Sequence, residues 1–244
     1  MTEAALPPDP PCDAYGGELP ELAGVAWREP VDERALGRID RRWTAWTVAH
    51  EIPFLATAAG MPLLSPILAP VSVGALCFAW FIPSLYAARG AGVLRAPWGG
   101  REERGPAPGA EDRALGLLGD LVGHDARDVL RSTGFVVEPG RLGTWLVGPA
   151  GAVLVRPGGR GRVRRAQCYC VRVTGDDLPR ADRVAHLLLA LRADETGFAT
   201  VANLTFAGAC WRIRRRLPSD EARRAMDAAR APSRSRRAPA RVAA

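Results

Sequence analysis

The stretch of sequence that decides the architecture is IPFLATAAGMPLLSPILAPVSVGALCFAWFIPSLYAA, from Ile52 to Ala88, which contains no charged residue over 37 positions. One membrane span needs about 20 apolar residues. The stretch is therefore too long for one helix and slightly short for two helices with a turn. Its middle, Gly60 to Pro66, contains a glycine and two prolines, which interrupt a continuous helix. The sequence predicts a two-helix transmembrane hairpin.

Two alternatives to this hairpin stay open at the level of sequence. One is a single span over Ile67–Ala88, preceded by an interfacial helix that carries Trp43 and Trp46. The other is a soluble hairpin whose apolar residues form a core. A soluble domain seldom runs so far without a surface charge, which favours the membrane.

The first helix of the hairpin must begin near Trp43 to reach spanning length. His50 and Glu51 then lie inside it, about 10 Å from its start at the rise of an α-helix. Such residues either extend to the headgroups or, if deeper, carry a function. We expect them at headgroup depth.

Arginines on both sides of the apolar stretch predict its orientation. Those before it are Arg34, Arg38, Arg41 and Arg42, and those after it are Arg89, Arg95, Arg101 and Arg104. Positive charge is retained on the cytoplasmic side of a membrane. We therefore expect a protein of the cell inner membrane or plasma membrane with both termini in the cytoplasm.

The composition excludes several classes of enzyme. All 33 basic residues are arginine, the net charge is +7, and lysine is absent. Phosphate-binding loops of the P-loop type, kinase-type ATP sites and Schiff-base enzymes that use their own lysine are thereby excluded. The odd number of cysteines, five, favours a reducing compartment over a disulfide framework. The N-terminal residues lack the basic and apolar regions of a secretory signal, and we expect no cofactor.

Composition shifts divide the chain into five segments. They are an acidic, disordered segment (1–33), the membrane hairpin with its flanking basic helix (34–90), a linker (91–109), a cytoplasmic domain (110–230) and a disordered basic tail (231–244).

Periodicity within the cytoplasmic domain predicts an α/β or α+β fold with the order helix, three or four strands, helix, two strands, helix. The predicted helices are Glu111–Ser132, Arg180–Ala193 and one capped by Ser219. The predicted strands are Phe135–Val137, Leu142–Val147, Ala152–Val155, Ala166–Val173, Phe198–Phe206 and Cys210–Leu217, with a hairpin turn at Gly148–Gly151.

One candidate catalytic site consists of thiols and a histidine. Cys168 and Cys170 share one face of a strand, because side chains repeat every two residues. With His186 they supply three ligands of a zinc site, although a fourth is not evident. Asp182 and His186 are neighbours on a helix and could activate a cysteine nucleophile. The competing interpretation is that these cysteines are core residues, which are frequently buried.

Arginines form the second candidate site, a binding surface. Its members are Arg156, Arg160, Arg162, Arg164, Arg165, Arg212, Arg214 and Arg216. In a strand over Cys210–Leu217, alternation places the last three on one face. Such a surface suits anionic lipid headgroups, and it also suits nucleic-acid phosphates. A solvated basic face without a ligand is the third possibility.

Two stretches resemble the nuclease-related domain, a restriction-endonuclease-like family often attached to bacterial membrane helices. Thr144–Val155, TWLVGPAGAVLV, resembles its strand–turn–strand, and Val201–Trp211, VANLTFAGACW, is similar to a later strand that ends near a tryptophan. The family's catalytic acidic residue and Glu-x-Lys are replaced here by the neighbourhoods of Gly143 and Arg156. The resemblance therefore implies a fold without nuclease chemistry.

The sequence as a whole predicts an integral membrane protein with a non-catalytic cytoplasmic domain that binds or scaffolds, and its expected partners are the bilayer and anionic headgroups. Nucleic acid is a less favoured partner. The alternative is an enzyme with a thiol or metal site at Cys168, Cys170 and His186.

Overall fold

The computed structural model describes residues 30–95, 107–156, 164–171 and 178–229. The predicted acidic segment up to residue 29, most of the predicted linker and the basic tail lie outside these residues. The described helices are α1 (Glu33–Leu64), α2 (Ala69–Gly92), α3 (Ala110–Val122), α4 (His124–Thr133), α5 (Arg180–Ala193), α6 (Glu195–Val201), α7 (Cys210–Arg214) and α8 (Asp220–Ala228). The described strands are β1 (Val136–Pro139), β2 (Thr144–Gly148), β3 (Gly151–Arg156), β4 (Arg165–Cys170) and β5 (Asn203–Ala209).

These strands form one antiparallel sheet whose spatial order, β1-β2-β3-β4-β5, is also their order in the chain. The sheet and its helices confirm the α/β class. Gly148 pairs with Gly151 at the predicted β2–β3 turn, which is also confirmed. Gly151 has a φ of 148°, and a Cβ there would collide with the carbonyl oxygen of Tyr169. Only glycine suits this position.

The sheet is apolar on both faces and lies between two layers of helices. Trp145 and Val147 contribute to one core with α3, α5 and α6. Leu146, between them in the strand, contributes to the other core with the end of α2, α7 and α8. This follows from the two-residue period of a strand.

Helices α1 and α2 form an antiparallel pair. Phe54 stacks on Phe78 with ring centroids 6.0 Å apart, and Trp43 meets Tyr86 edge-on nearer the sheet. The predicted break within Gly60–Pro66 is confirmed, and it lies at Ser65, because α1 continues past Gly60 to Leu64. Ser65 has the extended conformation that a residue before proline prefers.

The base of this helix pair belongs to the cores of the sheet domain. Leu36 at the start of α1 is fully buried in the first core. Val93 and Leu94, which the sequence places in the linker, are buried in the second. A Cβ on Gly90 would lie 2.6 Å from the Cβ of Phe206, so α2 meets the sheet at very close range. The pair and the sheet therefore share their packing.

The far end of the helix pair is apolar and exposed. Its tip residues Leu63, Leu64 and Ile67 are 87%, 79% and 83% exposed. Within the part of the chain that the structure describes, one helical stretch, Pro66–Gly92, is long and apolar enough to cross a membrane. Only 22% of its most apolar window is buried in the protein, whereas a soluble core helix is mostly buried. The apolar half of α1 falls short of the same criterion, so the two-helix membrane hairpin stays a proposal.

One of the predicted elements is of the wrong type, and two others are right only in part. The predicted strand Cys210–Leu217 begins with helix α7, because burial recurs at Cys210, Ile213 and Leu217 with a helical spacing of three and four residues. The first half of the predicted strand Phe198–Phe206 lies in α6, whose N-cap Asp194 accepts a hydrogen bond from the Gly197 amide.

The single helix predicted over Glu111–Ser132 is two helices, α3 and α4. They are separated at Gly123, which has a φ of 96°. By contrast, α5 has the predicted bounds, and the predicted Ser219 cap accepts a hydrogen bond from the Ala222 amide.

Candidate functional site

The arginines of α7 and the turn after it lie beside the exposed part of α2. Arg212 lies in α7 and Arg215 and Arg216 lie in the turn after it, and the three side chains come to the same side. Arg212 and Arg215 lie over the ring of Trp211, with guanidinium carbons 5.4 and 4.8 Å from its centroid. Arg216 donates a hydrogen bond from Nη2 to Ser84 Oγ on α2.

The predicted grouping of Arg212, Arg214 and Arg216 is therefore wrong in one member. Arg214 lies away from the others, and its Nε donates to Asp227 Oδ2 of α8 at 2.9 Å. Arg215, which the alternating pattern excludes, takes its place. A helical assignment of this run would have identified Arg215, since it stands three residues after Arg212.

A groove of about 540 Å³ separates these arginines from the helix pair. Its α2 wall presents Leu76, Ala79, Trp80, Pro83, Ser84 and Ala87, and its α1 wall presents Glu51 and Leu55. Trp211, Arg212, Arg215 and Arg216 complete it. One side is thus mostly apolar and the other cationic, an arrangement that suits an amphipathic anion.

The second group of predicted arginines has a different surrounding. Arg156 Nη1 lies 3.6 Å from Asp40 Oδ2 of α1, and Arg165 Nη1 donates to Thr44 Oγ1 at 3.2 Å. Arg164 has a buried Nη1 that forms no hydrogen bond with the described residues. Arg156 and Arg165 thus contact α1, and none of the three lines the groove. Arg160 and Arg162 lie outside the described residues.

Asp40 belongs to a buried polar cluster that joins α1 to the sheet. Gln167 Nε2 donates to Asp40 Oδ1 at 3.0 Å and to the Leu36 carbonyl at 3.2 Å. Tyr169 donates its hydroxyl proton to Gln167 Oε1 at 2.9 Å. Burial raises the pKa of Tyr169 well above its ordinary value, although the nearby Arg156 opposes the rise. The phenol therefore stays protonated as a donor, and the cluster positions the helix.

The candidate thiol site is not assembled. Cys168 and Cys170 do share a face of β4, as predicted, but it is the face of the second core. His186 and Asp182 lie on α5, which packs on the opposite face of the sheet, and His186 is exposed. The structure therefore does not bring the cysteines and the histidine together.

The environment of the thiols is apolar. Burial, and secondarily the neighbouring Cys210, raises the pKa of Cys168 well above its ordinary value. Burial also raises the pKa of Cys170. Nucleophilic attack and metal binding both require the thiolate. Among the described residues there is no group of three or more His, Cys, Asp and Glu side chains that could hold a metal ion.

His50 lies on the other flank of the helix pair from the groove that Glu51 lines. It lines a second groove of about 460 Å³ with Trp43, Trp46 and Tyr86. Its Nδ1 is 2.8 Å from the Trp46 carbonyl oxygen one helical turn earlier. This contact holds the Nδ1 side of the imidazole against its own helix.

Comparison with known proteins adds no relative to this description. The chain matches no family model, no curated protein and no solved structure. The resemblance of its β2–β3 hairpin to the nuclease-related domain therefore stays a hypothesis.

Proposed function

We propose that the chain is an integral membrane protein whose sheet domain has a binding or scaffolding role without catalysis, and contacts anionic lipid through its arginines. The observation that carries the proposal is the surface of the helix pair. Exposed apolar side chains cover its far end, and the arginines of the groove lie beside its other end, near Ser84 of α2. Monomeric soluble proteins seldom expose an apolar surface of this extent.

Geometry supports two crossings rather than one. From Pro66 at the tip to Ser84 beside Arg216, the helical rise amounts to about 27 Å, close to the 30 Å hydrocarbon thickness. Glu51 lies about 20 Å from the tip on α1 by the same rise. Inserted as a pair, the helices place Glu51 and Arg216 toward the same membrane surface. The ends of α1 and α2 that pack on the sheet then lie on one side of the membrane, together with the sheet domain. The flanking arginines favour the cytoplasm as that side.

Alkaline-carbonate extraction of membranes, with the chain followed through a C-terminal tag, tests the anchor. We expect the chain to remain in the pellet. Release into the supernatant would contradict membrane insertion and with it the whole proposal.

Cys77 gives a second and more local test of insertion. It is exposed on α2, whereas Cys168 and Cys210 are buried. In a Cys12→Ser/Cys170→Ser background, which also removes the half-buried thiol of β4, a membrane-impermeant maleimide should label Cys77 only after detergent is added. A Ser132→Cys variant, at an exposed site on α4, reports access of the reagent to the domain. Membranes that are broken open without detergent expose both of their surfaces to the reagent. If Cys77 in such membranes were labelled as fast as the thiol introduced at position 132, the inserted hairpin would be refuted.

A further inference from the structure

We propose that the groove between α2 and α7 binds one anionic phospholipid, with its phosphate against Arg212, Arg215 and Arg216 and an acyl chain along α2. The inference rests on the proposed membrane function, and it goes further by assigning a stoichiometric site to one molecule.

Charge is the first argument. Among the residues that the structure describes, none of these three arginines has a carboxylate within 4.0 Å, whereas arginines nearby on the same side of the domain do. Arg214 pairs with Asp227, and Arg223 and Arg224 of α8 pair with acids of their own helix. Among the arginines of α7, the turn after it and α8, the three without carboxylate partners are thus the ones that line the groove.

The groove keeps a positive formal charge when its acid is included. Glu51 lies on the α1 wall, so three arginines and one carboxylate leave a charge of +2. A phosphodiester carries one negative charge, which the groove accepts with a surplus. Glu51 also sets a direction for the ligand, because it repels phosphate from the α1 wall and leaves the α7 wall as its place.

Preorganisation is the second argument. The ring of Trp211 holds Arg212 and Arg215 by cation–π contact, and Ser84 holds Arg216. Guanidinium groups stacked on an aromatic ring keep their N–H edges free for oxygen acceptors. Their ordering therefore precedes binding and lowers its entropic cost.

The third argument is the position and shape of the apolar wall. Leu76, Ala79 and Trp80 continue from the arginines toward the tip, which is the direction of the hydrocarbon in the proposed orientation. Trp80 is 72% exposed, so this part of the wall is accessible from outside the protein. Its volume falls within the range of about 300–1,000 Å³ usual for small-molecule sites. A phospholipid presents an anion and an acyl chain in this same order.

Native mass spectrometry of the full-length protein, extracted in mild detergent from membranes that contain phosphatidylglycerol and phosphatidylethanolamine, tests the site. We expect one retained phosphatidylglycerol per chain. In Arg212→Gln/Arg215→Gln/Arg216→Gln, retention should fall by at least about tenfold, since each charged hydrogen bond to phosphate contributes about a factor of ten.

A control triple variant separates the groove from overall charge. Arg127→Gln/Arg223→Gln/Arg224→Gln removes the same charge from α4 and α8, and it should retain the lipid. Ala79→Trp fills the apolar wall and leaves every arginine, and it should also lose the lipid.

The proposal is overturned if the wild-type chain retains no phospholipid, or if both triple variants lose it equally. Retention of nucleic acid, or of a second copy of the chain, at the arginines would also overturn it. These failures are distinct from failure of the proposed function. A chain that stays in the carbonate pellet but retains no lipid keeps its membrane anchor, whereas release from the pellet removes both.

Discussion

The sheet domain should not fold stably without the base of the helix pair. Removing residues before 107 takes Leu36, Ala87, Ala91, Val93 and Leu94 out of the two cores, where each is at most 3% exposed. Burying a leucine or valine contributes about 1.5–3 kcal/mol and a methyl group about 0.8 kcal/mol, so the loss is about 5–10 kcal/mol. The whole stability of a domain is about 5–15 kcal/mol.

The assay compares residues 107–229 in buffer with residues 30–229 in detergent. Far-UV circular dichroism on heating and near-UV spectra of the buried Trp145 report secondary and tertiary structure. We expect the longer piece to unfold cooperatively and the shorter one to lack a fixed tertiary signal. A monomeric 107–229 piece with a cooperative transition within a few degrees of the longer piece would refute the shared-core argument.

Single substitutions in the longer piece give the same test without truncation. Leu94→Ala removes a side chain that is 3% exposed, and it should cost about 2–5 kcal/mol. Leu117→Ala changes a leucine that is 67% exposed, and it should stay within about 0.5 kcal/mol of the parent. Equal losses from the two would count against the assigned packing.

Other predictions concern the packing of α2, the loop before β2 and the thiols, each measured as the free energy of unfolding. Gly90→Ala should lower the free energy of unfolding by about 1–3 kcal/mol, because the new Cβ would meet Phe206. The control Gly37→Ala lies in open space on α1, and it should be neutral or stabilising. Equal effects of the two substitutions would refute the close approach of α2 to the sheet. Glu195 accepts hydrogen bonds from the Arg141 and Leu142 amides and from Trp145 Nε1, so Glu195→Ala should cost about 3 kcal/mol and shift the tryptophan fluorescence; an unchanged spectrum would contradict this. Because burial raises the pKa of Cys168, the folded chain keeps a proton that the unfolded chain loses above about pH 8.5. Stability should therefore be fully present below that pH and fall as the pH rises above it, and Cys168→Ala should flatten the fall; an unaltered slope would be the contrary result.

Local signals in the sequence were sufficient for several elements. The helix Arg180–Ala193 carries apolar residues on one face, and the structure has those bounds. The Gly148–Gly151 turn and the Ser219 cap are set by residues within four positions of one another. Where neighbouring residues alone determine the conformation, sequence reasoning succeeds.

The errors arose where two local patterns compete or where distant segments meet. Arginine alternates with apolar residues at the start of Trp211–Leu217, but Arg215 stands where alternation requires an apolar residue. Tertiary burial of Ile213 and Leu217 decides for the helix. This one error also displaced Arg215 from the candidate site, since a residue's face depends on the period assumed.

The contribution of Leu36 and Leu94 to the cores has no local signal. Both stand next to arginine-rich sequence that is typical of a membrane flank or a linker. Both are buried against the sheet, whose strands β2 and β4 follow much later in the chain. The separation in sequence is more than 40 residues for Leu94 and more than 100 for Leu36. A pattern confined to a window cannot contain such a contact.

Shared packing between the helix pair and the sheet gives the arginine site its position. A domain tied to a membrane helix by a linker can meet the bilayer with any face. Here Asp40 and Gln167 join α1 to β4, and Gly90 seats α2 on the sheet, so the orientation of the helices fixes that of the domain. Insertion of the pair would then bring Arg212 and Arg215 to the headgroups directly, because the fold sets their distance from the tip of the helix pair. Loosening that base, as Gly90→Ala is expected to do, should weaken lipid retention in the groove even though it leaves every arginine in place.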